Sequence, residues 1–305
     1  MKVCVVGPGA LGCLFAAFLA RAGHQVWLLD HRAERARIID TQGIELHDQR
    51  GRSVVPVQAT VDPGQIGVVK LVFLCVKSDA VAVAAREVLP ILAAGGLLIA
   101  LQNGIAHHAL VADVFCQQPW ALGITAQGAT LLGTGIVRHG GSGKTTLGFL
   151  TQVDGEAKGL REAAALLNRA GIETAISADI LAAAWNKLIV NAGINALTAL
   201  EGCANGELLH RPAALATLTA AVREAAQVAT ALGIKIVSDP LAMTVAVCRE
   251  TAGNISSMLQ DIRQGRATEV EAINGMIVRQ AATLGIPAPT NQALLARVKV
   301  LEGSL

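Results

Sequence analysis

Two groups of residues in this chain have the types and spacing to do chemistry. The first is Lys187, Asn191 and Asn195, placed i, i+4 and i+8 in the otherwise apolar stretch from Asp179 to Leu200. At 3.6 residues per turn this spacing stacks a cation and two amides in one drifting row on a single helix face. Burying them without partners would be costly, so the row needs water, protein partners or a ligand. Burial also favours the neutral amine and lowers a lysine pKa from about 10.4 towards neutrality, which suits it to donate a proton. A wetted stripe between domains would account for the row without chemistry. The preferred reading is a substrate pocket facing a nucleotide-binding domain, with Lys187 as its charged group.

The second group is Gly7-Pro8-Gly9-Ala10-Leu11-Gly12, a Gly-x-Gly-x-x-Gly pattern. It directly follows the apolar run Val3 to Val6 and opens a helical pattern through Phe15, Phe18 and Leu19 that ends at Gly23. A second strand pattern runs from Gln25 to Leu29, and Asp30 stands 18 positions after Gly12. In such a strand, turn, helix, strand unit the three glycines permit the tight turn, the approach of a pyrophosphate and close packing of the helix. The amides at the helix start then face the phosphates. Alone the pattern is weak, but its position between a strand and a helix, with an acid at this distance, makes it specific for a dinucleotide.

Further polar residues stand where elements end. Lys77 follows the strand pattern Leu71 to Val76, and Gln102-Asn103-Gly104 follows Leu97 to Leu101. In a doubly wound sheet ligands bind outside the carboxyl ends of the strands, which favours ligand contacts for both; a solvated strand end and a simple turn are the plain alternatives. Asn254, Ser257 and Asp261 fall at i, i+3 and i+7, while Ser256 and Ser257 also suit a helix start. Thr268 with Glu271 fits a capping box for a helix running to Leu284, leaving Glu269 for the pocket. Gly140-Gly-Ser-Gly-Lys144 lacks the first glycine of a phosphate loop, Arg138 holding that place, and reads as a hairpin turn with Lys144 exposed.

These residues require two kinds of scaffold. Up to about residue 175 strands alternate with helices, and beyond it helix follows helix. The expected fold is therefore an α/β Rossmann-type doubly wound sheet over 1–175, joined to an all-α substrate and dimerisation domain over 176–305. A chain of 305 residues can bury a core in each. Its 52% hydrophobic content and mean hydropathy of +0.50 come from Ala, Val and Leu, as buried parallel strands and Ala-rich helices require, and no run reaches the roughly 18 uncharged residues of a membrane span. Met1-Lys2 leads straight into the first strand with no secretory pattern, so a cytoplasmic protein is expected. The six cysteines have no CxxC pair and read as reduced, mostly core residues, and no His/Cys cluster suggests a metal. A net charge of +2 without a basic block, and an aromatic content of 3%, argue against nucleic acid.

Over essentially its whole length the chain resembles the ketopantoate reductases (2-dehydropantoate 2-reductases). The resemblance is carried by Gly7-x-Gly9-x-x-Gly12, Val76-Lys77, Gln102-Asn103-Gly104, the His139 to Gly148 segment, Lys187-Leu-x-x-Asn191-x-x-x-Asn195, and Ser256-Ser257-Met258-x-x-Asp261 followed by Thr268-Glu269. It implies reduction of ketopantoate to (R)-pantoate with NADPH, on the route to pantothenate and coenzyme A; separately, the apolar helical domain suits a homodimer. In that comparison Lys187 matches the catalytic lysine that protonates the carbonyl oxygen. Asn191, Asn195, Asn254 and Ser257 match substrate-holding residues, Asn103 and Glu269 lie near the nicotinamide and its ribose, and Lys77 is a cofactor contact. One departure stands out. Where the family commonly carries an arginine that reads the NADP 2′-phosphate, this chain has Asp30-His31-Arg32. A carboxylate there would accept from a free ribose 2′-OH and repel a phosphate, so NAD is the competing cofactor unless Arg32 swings in. The alternatives are a reductase of another branched 2-keto acid and a non-catalytic dinucleotide-binding regulator.

Overall fold

The computed structural model describes residues 1–105, 107–150, 157–236 and 239–304. The chain forms two compact units, Met1–Gln102 with His107–Ile180, and Asn103–Ala106 with Leu181–Leu305.

The first unit contains strands β1 (Lys2–Val6), β2 (Gln25–Leu29), β3 (Ile44–Asp48), β4 (Gly51–Val55), β5 (Gln58–Thr60), β6 (Val69–Leu74), β7 (Leu92–Ala100), β8 (Trp120–Thr125), β9 (Gly128–Gly133), β10 (Ile136–Gly141), β11 (Thr145–Gly148) and β12 (Thr174–Ile176). Its helices are α1 (Ala10–Arg21), α2 (Ala33–Gln42), the single turn α3 (Pro63–Ile66), α4 (Val81–Val88), α5 (His108–Val114) and α6 (Ala157–Arg169). Eight strands make one sheet in the order β12-β11-β8-β7-β6-β1-β2-β5. Neighbours are parallel except β11 and β8. Val3, Val5, Leu71 and Phe73 on one face of the sheet and Cys4, Val6, Val72 and Leu74 on the other are buried, as strands covered on both faces must be. The sheet winds outward in opposite directions from β1, with β2 on one side and β6 on the other, so its ligand crevice lies at the carboxyl ends of β1, β2 and β6.

Not every strand completes that sheet. The stretch from Gly43 to Val57 forms a hairpin of β3 and β4, which joins β10 and β9 in a separate four-stranded sheet, order β4-β3-β10-β9. Gly140 to Lys144 is accordingly no hairpin turn: it carries the chain from β10 in the small sheet to β11 in the large one. Lys144 is exposed, as expected.

The second unit is helical: α7 (Ile180–Glu201), α8 (Pro212–Ala231), α9 (Pro240–Glu250), α10 (Ser257–Arg263), α11 (Asn274–Leu284) and α12 (Pro289–Glu302). α7 is long and apolar enough to cross a membrane by length and composition, but 78% of its apolar window is buried in the protein. A polar network fixes it among its neighbours. Asn274 Nδ2 donates to Ala192 O on α7 and to Asn291 Oδ1, while Asn291 Nδ2 donates to Ala221 O and to Glu224 Oε2. Glu224 also accepts from the amides of Thr290 and Asn291, capping α12. The helix expected to open at Thr268 begins only at Asn274, because Glu271 pairs with Arg279 and Lys299 instead of closing a capping box. Thr268 accepts from the Val270 amide in a turn.

Candidate active site

In the first unit, β1 runs into the glycine loop and the loop into α1. Gly7 sits at φ +92°, a left-handed conformation open to glycine, and a Cβ there would meet Val76 Cγ1 at 2.8 Å. A Cβ on Gly12 would collide with the Gly7 carbonyl oxygen, so the third glycine is what lets α1 lie against β1. At Gly9, the N-cap of α1, a Cβ would meet nothing within 4 Å. The loop thus presents an open face at a helix N-terminus, a cradle that fits a pyrophosphate. Lys77 is half-buried just past β6, where it starts the turn Ser78–Ala80. Gln102 is buried past β7, with Nε2 donating to Leu74 O and Val76 O.

Asp30 follows β2, and the Gly7 amide donates to Leu29 O beside it at 2.9 Å. Its carboxylate does not stand open. The side chain is 1% exposed, and Arg35 grips both oxygens, Nε to Oδ2 and Nη2 to Oδ1, each at 2.5 Å. The Arg32 amide adds a bond at 3.2 Å, and His31 Nδ1 lies 3.5 Å from Oδ1. Hydrogen bonding to Asp30 raises the pKa of Arg35 further above the usual guanidinium value. The Arg32 side chain is exposed and makes no ion pair among the described residues. Arg35 was not singled out from the sequence, although there was a signal. It lies in the first turn of α2, where the helix dipole disfavours a cation, so an arginine there implies a nearby carboxylate.

In the second unit Asn103, Lys187 and Glu269, far apart in sequence, come together. Lys187 Nζ donates to Asn103 Oδ1 at 2.9 Å, and Asn103 Nδ2 donates to Glu269 Oε2 at 3.0 Å. Burial pushes the Lys187 ammonium down to about 8, and the Glu269 charge opposes that fall. The amide therefore fixes the lysine while separating it from the carboxylate. Asn191 is half-buried and Asn195 buried, one and two turns further along α7. Asn254 and Ser257 are exposed but do not share a helix face. α10 begins at Ser257 with Ser256 as its N-cap, Oγ accepting from the Leu259 amide, and Asn254 lies in the preceding turn. Thr198, buried on α7, donates to Ser256 Oγ at 2.7 Å and ties that cap to the helix of Lys187; nothing in the sequence pointed to it. Among the described residues no group of three or more His, Cys, Asp or Glu could hold a metal.

The glycine cradle at the end of a parallel strand is that of a nicotinamide-dinucleotide-dependent oxidoreductase, and the comparisons with known proteins agree. Residues 3–152 match the model of ketopantoate reductase PanE/ApbA, and residues 179–302 match that of its C-terminal region. The chain belongs to the ketopantoate reductase family. It is 35% identical to a 2-dehydropantoate 2-reductase of Halobacterium salinarum, over 99% of each chain, and 31% identical to that of Vibrio cholerae, over 100% of this chain and 99% of the other. Among solved structures it matches a PanE/ApbA family ketopantoate reductase from Ralstonia eutropha with TM-score 0.89 and 32% identity, over 100% and 99% of the two chains. It also matches D-mandelate dehydrogenase in a ternary complex with NADH and anilino(oxo)acetate, with TM-score 0.91 and 26% identity, over 100% and 99%.

Proposed function

We propose that this protein reduces the 2-keto group of ketopantoate to (R)-pantoate with NADPH, supplying pantoate for pantothenate and coenzyme A. The observation that carries the reading is the chain Lys187–Asn103–Glu269, in which a lysine with a pKa of about 8 is oriented by an amide. At neutral pH Lys187 is largely protonated yet close enough to its pKa to release the proton readily, as a general acid must. It gives that proton to the carbonyl oxygen of the keto acid and is reprotonated from solvent. Asn191, Asn195, Asn254 and Ser257 hold the hydroxyl and carboxylate of the substrate. The stretch Gly7-Pro8-Gly9-Ala10-Leu11-Gly12 receives the pyrophosphate, with Lys77 a further contact, and Asn103 and Glu269 lie near the nicotinamide ribose. When bound, the reduced nicotinamide supplies the hydride. Two features favour NADPH: the Asp30 charge is already compensated by Arg35, and Arg32 beside it is exposed.

A second reading, an NADH-dependent reductase of another 2-keto acid, draws on the similarity to D-mandelate dehydrogenase. Loss of reduced-cofactor absorbance, with ketopantoate, 2-oxoisovalerate and phenylglyoxylate each offered with NADPH and NADH, separates the two. The proposal expects the highest kcat/KM for ketopantoate with NADPH. A higher value for either other acid would replace the substrate, and no turnover with any pair would leave a dinucleotide-binding regulator.

A further inference from the structure

We infer that Arg35 is a cofactor-specificity residue: by occupying both oxygens of Asp30 it silences an acid that would otherwise select a free ribose 2′-OH and repel a 2′-phosphate. The inference deepens the NADPH reading above and rests on it. At the end of the second strand of a dinucleotide fold, a carboxylate accepts from the ribose 2′-OH, and an arginine accommodates the 2′-phosphate. This chain carries both, and the geometry decides between them. Asp30 is fixed from three sides, its backbone amide on Thr60 O at 3.0 Å, its carboxylate on Arg35 and on the Arg32 amide. With both oxygens engaged and 1% exposure it has no accessible lone pair for a ribose hydroxyl.

The pair lies at the dinucleotide loop. Cys13, the residue after Gly12, feels the charges of both Arg35 and Asp30, and its thiol bonds to Pro8 O within the loop. Cys13 itself, pushed up to about 12 by burial, brings no charge. With the Asp30 charge cancelled by Arg35, the exposed Arg32 beside the pair is left as a cation to meet a 2′-phosphate. A side-on arginine makes this cancellation geometrically firm, because two parallel N–H···O bonds fix the plane of the carboxylate as a single lysine contact does not.

The test is a double-mutant cycle on cofactor affinity, with Kd for NADPH and NADH measured by titration calorimetry in wild type, Arg35→Met, Asp30→Asn and Arg35→Met/Asp30→Asn. Arg35→Met should exchange the preference towards NADH, lowering Kd(NADH)/Kd(NADPH) at least tenfold by weakening NADPH. Removing the acid as well should return the ratio to within about threefold of wild type. If Arg35→Met causes a loss of equal size with Asp30 intact and in the Asp30→Asn background, Arg35 holds the phosphate directly; if Arg35→Met changes nothing, Asp30 is irrelevant. Either result overturns the inference. If Arg35→Met does not fold, Arg35→Lys, which keeps the charge and loses the fork, should show a smaller fall in the same ratio, and an unchanged ratio counts against the inference. The wild-type ratio is read separately: a wild type that prefers NADH defeats the NADPH proposal, while the cycle still reports whether Arg35 acts through Asp30.

Discussion

In the proposed reduction Lys187 acts only while it carries its proton, and this fixes the sign of the pH dependence. Its pKa lies below that of a free lysine, at about 8, so the acid form is present below that pH and is lost above it. Keto-acid reduction should therefore show a kcat/KM that is level near neutrality and falls tenfold per pH unit above about 8, read from steady-state rates between about pH 6 and 10. Glu269 raises that pKa, so Glu269→Gln should move the falling limb to lower pH; a shift upward or none would remove the carboxylate from the site's electrostatics. Lys187→Ala should lower kcat by about 10²- to 10⁴-fold, the usual contribution of general acid catalysis, while NADPH affinity measured by calorimetry is retained. Much of this site is legible in the sequence, where Lys187, Asn103 and Glu269 all stand out as site residues. Their linkage is not, because the bonded pairs lie 84 and 166 positions apart and no local pattern encodes such a contact.

Elements that follow from local rules are the readable ones. The first β-α-β unit is legible because its strands are buried on both faces and its glycines are forced by sterics at Gly7 and Gly12. Gly12→Ala should push α1 off β1 and weaken NADPH binding tenfold or more, and unaltered affinity would deny the loop its role. α10 follows its cap, not its face. Ser256→Ala removes the acceptor of the Leu259 amide and the partner of Thr198, and should cost about 1 kcal/mol in urea unfolding, as N-cap losses do. The start of α11 differs from its expected place: Thr268 and Glu271 have capping-box spacing, but Thr268 accepts from the Val270 amide and Glu271 pairs with Arg279 and Lys299. The partition of strands between two sheets is equally hidden, because β9 and β10 are as long as strands of the main sheet, and pairing partners are a tertiary property.

At the scale of the whole molecule, ligand binding to the native state must appear as stability. A ligand at a hundred times its Kd adds about 2.7 kcal/mol to the state that binds it. For a unit of about 150–250 residues each kcal/mol is worth about 2–4 °C, so NADPH at that excess should raise the thermal midpoint by about 5–10 °C. NADH at the same concentration should raise it less, because the compensated Asp30 offers its 2′-OH no acceptor and Arg32 gains nothing from it. In Arg35→Met the two shifts should converge or reverse, since the freed carboxylate then acts on both cofactors with opposite sign. Scanning calorimetry with each cofactor in wild type and variant reads all four values without requiring turnover. Equal shifts by NADPH and NADH in the wild type would show that the end of β2 does not discriminate, and would return cofactor choice to the open state in which the sequence Asp30-His31-Arg32 leaves it.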